Sequence, residues 1–223
     1  SRHFLPPKRG LLRGLQKTGR SFTVLPISMS YDRLPEEPAF DRELSGGARS
    51  KMSLPALLKW LADMMRGEVQ LGRMHIACGA PQVLDASTDV PALARAIMAE
   101  QQRQTVVTSF HLRSFLAEPA NRHLVAQGVD EAWLTEAITR RGGRVLASDL
   151  PVPQPLTATL AQSLRNQWAP WFFGDALALY PENVAVEDHI ARNAWHGVQA
   201  STDLDDGRVY GVVSALMAPV IRD

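Results

Sequence analysis

Leu5–Leu34 reads LPPKRGLLRGLQKTGRSFTVLPISMSYDRL, and the fold class follows from it. Pro6 and Pro7 are tolerated only before a helix or in its first turn, so they end an extended lead-in. Leu11, Leu12 and Leu15 recur at helical spacing and mark a buried face, and Gly19 is a C-terminal stop. Phe22 to Ile27 is apolar and β-branched, which predicts a buried strand. Pro26 inside it lacks a ladder donor and belongs at an edge, a bulge or a strand end. Tyr31, Asp32 and Arg33 follow at once and are expected on the rim where open α/β sheets take ligands. Helix, buried strand and charged turn are the grammar of an α/β domain.

The same stretch concentrates charge. Arg2, Lys8, Arg9, Arg13, Lys17 and Arg20 lie in the first twenty residues without one acid, in a chain whose formal net charge is +1. Arg9, Arg13 and Lys17 are four residues apart in series and share a helix face. Phosphate is the natural partner of such a cluster, because Arg offers a bidentate fork and Lys a point charge. The alternative is a solvated helix face.

Three blocks resemble the glycerolipid acyltransferases, and among them the glycerol-3-phosphate branch more closely. They are Pro7-Lys8-Arg9-Gly10-Leu11-Leu12, Val24 through Arg33 (VLPISMSYDR), and Met74 through Pro81 (MHIACGAP), in family order and spacing. The resemblance spans roughly residues 4–116 and implies a fold: an α/β class chain, with part of an acyltransferase-type domain (a mixed sheet flanked by helices) and then a mostly helical C-terminal region. It also implies a reaction, transfer of a fatty acyl group from acyl-CoA or acyl carrier protein to glycerol 3-phosphate or lysophosphatidate. Lys8, Arg9 and Arg13 would then bind phosphate, while Pro26, Tyr31 and Arg33 shape the substrate rim. No cofactor and no metal is implied. The expected location is the cytoplasmic face of a membrane, as a peripheral protein.

The chain departs from the family at its chemical centre. The catalytic motif there is His-x-x-x-x-Asp, yet the residues five positions after His3, His75, His111, His123, His189 and His196 are Lys8, Ala80, Leu116, Gly128, Ala194 and Ser201. The Glu-Gly-x-Arg block that should precede Pro7 is absent, and Ala80 stands where the family has Gly-Glu-Pro. The expectation is therefore the C-terminal part of a longer enzyme, contributing positioning and electrostatics rather than proton transfer.

The chain's 223 residues, 45% of them hydrophobic and 21% charged, suffice for one large or two small domains with a real core. A single cysteine, Cys78, rules out an internal disulfide and reads as a small buried residue of a strand. The apolar run Val209 to Ile221 is too short to span a bilayer and is expected to be buried.

Beyond Arg33, residues 34–50 read as a loop. Ser53 caps a helix whose stripe of Leu54, Leu57, Leu58, Leu61, Met64 and Met65 is expected in the core, with Gly67 as its stop. Val69 and Leu71 alternate before a change of phase at Gly72, and Arg73 to Gly79 is a second strand. Asp89 and Asp130 cap two further helices, and His111 reads as a hydrogen-bonded core or edge histidine. Pro151, Pro153 and Pro155 mark a linker, giving units at 1–148 and 157–223 joined by 149–156. Trp168, Trp171, Phe172 and Phe173 form an aromatic cluster that suits a docking core or a bilayer interface.

Other chemistries lack their signatures. Glu187, Asp188, His189 and His196 match no metal spacing, and Asp203, Asp205, Asp206 and Gly207 lack the closing Glu of a calcium loop. Near-neutral charge argues against nucleic acid as a partner. The reading that competes with an acyltransferase is a non-catalytic module binding anionic lipid or acting as a scaffold at a membrane surface.

Overall fold

The computed structural model describes residues 8–33, 46–47, 54–66, 72–180, 200, 204 and 206–221, with side chains through 217. The chain is mixed α/β. In order it forms α1 (Gly10–Gln16), β1 (Phe22–Val24), β2 (Ile27–Tyr31), α2 (Leu54–Met65), β3 (Met74–Cys78), β4 (Gln82–Leu84), α3 (Val90–Arg103), β5 (Val106–Thr108) and α4 (Ser109–Ala117). There follow α5 (Arg122–Ala126), α6 (Glu131–Arg140), β6 (Arg144–Leu146), α7 (Ala158–Asn166), α8 (Phe173–Leu179) and α9 (Gly207–Ile221).

The expected single mixed sheet is not what the described strands form. They pair as three two-stranded sheets, β1 with β4 and β2 with β3 antiparallel, and β5 with β6 parallel. The first two are halves of one long ribbon. Val24 faces Gln82 and Ile27 faces Cys78, so two residues on one arm oppose three on the other, which is a bulge. Pro26 is buried at that break, and its carbonyl accepts the Gly79 N–H at 2.8 Å. A residue without an N–H sits where the ladder is already interrupted. The strand predicted over 22–27 therefore ends at Val24, and a second one runs on through Tyr31.

Beyond the break the ribbon turns its polar residues inward. Ser28 and Ser30 are buried, while Ile27, Met29, Met74 and Ile76 are 46–60% exposed, and Cys78 is exposed rather than buried as predicted. The inward face meets the end of α3 and the start of β5, where Ser30 Oγ accepts the Val106 N–H at 2.9 Å and Gln101 Nε2 donates to the Ile27 carbonyl at 2.9 Å. Backbone donors and carbonyls at this seam need polar partners, and Ser30 and Gln101 supply them.

The capped helices form as the sequence predicts. Asp89 accepts from the Ala92 N–H, with Pro91 in the first turn, and Asp130 accepts from the Trp133 N–H at 2.8 Å. Trp133, Leu134, Ala137 and Ile138 are buried. α2 reverses its expectation. None of its residues is buried, and Leu54, Leu58, Leu61 and Met65 stand 71%, 58%, 38% and 85% exposed. Its stripe has a helix period, but no described element covers it. Leu11 of α1 is likewise 76% exposed, whereas Leu12 and Leu15 pack as expected.

The main hydrophobic core lies elsewhere. It joins Val107, Leu112, Phe115 and Leu124 to Trp133, Leu134 and Ile138, then to Trp168, Phe172 and Phe173, and to Val209, Val212, Val213 and Leu216. The aromatic cluster is therefore core. Trp168 and Phe172 are fully buried, and Trp168 stacks edge-on against Phe115 at 5.0 Å between centroids, which withdraws these rings from any bilayer interface. α9 is buried along Val209, Val212, Val213, Leu216 and Met217, as predicted. No helix among the described residues is long and apolar enough to cross a membrane. Pro6, Pro7, the loop segments 34–45 and 48–50, Ser53, Gly67, Val69, Leu71, Glu187, Asp188, His189, His196, Asp203 and Asp205 lie outside the described residues.

Candidate functional site

The polar junction at the end of β2 begins with an alternation. Ser28, Ser30 and Asp32 occur at every second position, so all three face the same side of the extended chain. Asp32 is 1% exposed. Its backbone N–H donates to the Arg73 carbonyl at 3.0 Å, and its Oδ2 accepts the Arg73 N–H at 3.1 Å and the Ser148 hydroxyl at 3.3 Å. One carboxylate thus ties together the ends of the 33–72 excursion and the segment after β6. Gly72 sits beside it at φ +66°, where a Cβ would lie 2.7 Å from both Asp32 Cβ and Leu150 Cδ1. Glycine is required there by conformation and by space alike.

Two histidines close on the same spot. His75, inward-facing on β3, brings Nε2 to 3.7 Å from Asp32 Oδ1, outside hydrogen-bond range. His111 lies in the first turn of α4 and completes a capping box, its Nδ1 accepting the Thr108 N–H at 3.0 Å. Burial pushes the His111 imidazole down to about 4, against the opposing pull of the Asp32 carboxylate and the carbonyls of Asp32 and Tyr31, so the ring is neutral at pH 7. Ser109 and Arg113 extend the network. Ser148 N–H donates to Ser109 Oγ at 2.8 Å, and Arg113 Nη2 donates to the carbonyls of Ser148 and Leu150 at 2.7 and 2.8 Å.

The six residues expected to contact substrate occupy three places. Lys8 and Arg9, just before α1, and Arg13 on it are exposed, and the helix is seated at the β1–β4 end of the ribbon by Leu12 and Leu15 against the cluster of Leu84, Val90 and Leu93. Gln16 Nε2 anchors that helix by donating to the carbonyls of Asp85 and Thr88 at 3.1 and 2.7 Å. Tyr31 and Arg33 are half-buried at the opposite end of the ribbon, flanking Asp32, and Pro26 is buried at the break between. Glu100 of α3 reaches the turn at Ala80. Its Oε1 accepts the Ala80 N–H at 3.1 Å, and the Arg103 guanidinium first, then that N–H, hold its carboxyl below the usual range.

Asp32, His75, His111 and Ser148 were not legible as a group. The signal available was the period-two run Ser28-x-Ser30-x-Asp32, which marks a polar inward face; Ser148 comes from more than 100 residues away and carries no local signal. Among the described residues no cluster of three or more His, Cys, Asp or Glu is arranged to hold a metal ion. Comparison with family models, with curated proteins and with solved structures finds no match for this chain.

Proposed function

We propose that this chain is part of an acyltransferase that moves a fatty acyl group from acyl-CoA or acyl carrier protein to glycerol 3-phosphate or lysophosphatidate. The observation that carries the reading is the meeting of the resemblance blocks. The second and third pair strand to strand from Ile27–Cys78 to Tyr31–Met74. The first packs through Leu12 on the same ribbon's other end. In this reading Lys8, Arg9 and Arg13 take phosphate through exposed, charge-assisted hydrogen bonds, and Tyr31 and Arg33 line the rim that Asp32 anchors. The chain's own share is binding and positioning, since none of its histidines begins a His-x-x-x-x-Asp motif.

The test is an acyl-transfer assay on the full-length protein. Lys8→Ala and Arg9→Ala should each raise the KM for the acceptor or for CoA by about tenfold or more, the loss of one charge-assisted bond. Absence of transfer to both acceptors would remove the reading. A second reading, an anionic-lipid-binding module, draws on the exposed stripe Leu54, Leu58, Leu61 and Met65. Sedimentation with anionic but not zwitterionic vesicles, lost in Leu58→Glu, would favour it.

A further inference from the structure

We infer that α2 is a strap that closes on the outer face of the β2–β3 ribbon. That face is built from consecutive cross-strand pairs, Ile27 with Cys78, Met29 with Ile76 and Tyr31 with Met74. Alternation along the strands puts all six side chains on one side, opposite the buried Ser28 and Ser30. Tyr31 is half-buried and the other five are exposed, and no charged residue interrupts them. A contiguous apolar patch of this kind marks a surface that something covers.

α2 fits that face in chemistry, length and tether. Leu54, Leu58, Leu61 and Met65 follow one another at helical spacing and form one exposed apolar stripe. The charges lie on the opposite side of the helix, where Asp63 pairs with Lys59 at 2.8 Å and with Arg66 at 3.1 Å, so docking leaves them in water. A 12-residue helix is about 18 Å long and a 5-residue strand about 17 Å, so stripe and face match. The excursion that carries α2 leaves and re-enters at the Tyr31–Met74 rung, and Asp32 and Arg73 pin its two ends there. Residues 66–73 join Met65 to Met74 and reach at most about 30 Å, enough to cover the whole ribbon. A tether of this length holds α2 beside the face at a millimolar effective concentration, which favours it over a second copy or a free partner. Ordering α2 on the ribbon costs conformational entropy, so the open form stays the main one in the free chain and the closed form is a minor state.

Disulfide trapping tests the strap, because it captures minor states and Cys78, the chain's one cysteine, lies on the face. Leu54→Cys, Leu58→Cys, Leu61→Cys and Met65→Cys are each oxidised at high dilution, beside Lys59→Cys on the other side of the helix, and the bonded peptides are identified by mass spectrometry. The expected result is an intrachain bond to Cys78 in at least one stripe variant. It should form about tenfold or more faster than in Lys59→Cys, at a rate independent of protein concentration. Adding Ile76→Asp to the fastest variant should slow trapping by a similar factor and leave the circular dichroism spectrum unchanged. Equal rates for the stripe and Lys59 variants would overturn the inference, and so would trapping that Ile76→Asp leaves untouched. Bonds that form only between chains, at a rate rising with concentration, would also overturn it and make a second copy the occupant.

Discussion

At the scale of single residues, burial sets the chemistry. His111 ordinarily titrates near 6.5 and is pushed down to about 4. Between those values the unfolded chain binds a proton that the folded chain refuses. Stability is therefore complete above about 6.5 and falls as pH drops toward 4, by on the order of 3 kcal/mol. Urea unfolding followed from about pH 7.5 to 4.5 should show this slope, and His111→Gln should flatten it. Arg141 and Asp175 make the other decisive pair, 3% and 0% exposed, bidentate at 2.7 and 3.0 Å, with the guanidinium 4.3 Å from the Phe172 ring centroid. Arg141→Ala would strand a buried carboxylate and should cost about 3–5 kcal/mol by denaturant titration, whereas replacing both partners by apolar residues should recover most of it.

At the scale of elements, the ribbon and α2 differ in what holds them. The 33–72 excursion is closed by the reciprocal Asp32–Arg73 backbone and carboxylate bonds, and Gly72 is packed into that closure. Gly72→Ala forces a side chain at φ +66° into Asp32 and Leu150, and should cost about 1–3 kcal/mol in thermal or urea unfolding. α2 has the opposite character. Leu54, Leu58 and Leu61 are exposed, so Leu58→Glu in this chain should change stability by no more than about 0.5 kcal/mol. A large loss would mean that a surface outside the described residues covers the stripe. The helix itself was plain in the sequence, because a 3.6-residue apolar period is local; what lies against it is not.

At the scale of the whole molecule, one hydrophobic cluster draws on β5, on α4 to α6, and on the aromatic cluster and α9 that follow the proline-rich stretch. The candidate site sits apart from it, at the seam of β2, β3, β5 and the segment after β6. This separation predicts that charge substitutions at the start of α1 act on binding and not on folding. Lys8→Ala and Arg9→Ala should leave the unfolding midpoint unchanged while shifting KM, and circular dichroism melts beside the acyl-transfer assay would check it.

The sequence by itself determined the helices that carry their own caps and periods, the exposed cations of α1, the need for a break at Pro26, and the burial of α9. Each of these is written within a few residues, where propensity, capping and periodicity act. Only the tertiary structure decided which faces were covered. It sent Ser28, Ser30 and Asp32 inward and Ile27, Met29 and Cys78 outward, left the leucines of α2 exposed, and put the aromatic cluster in the core. It also assembled Asp32, His75, His111 and Ser148 from four separate segments. Period and propensity say that a face exists. Its partner is fixed by contacts between residues up to 116 positions apart, which no local pattern encodes.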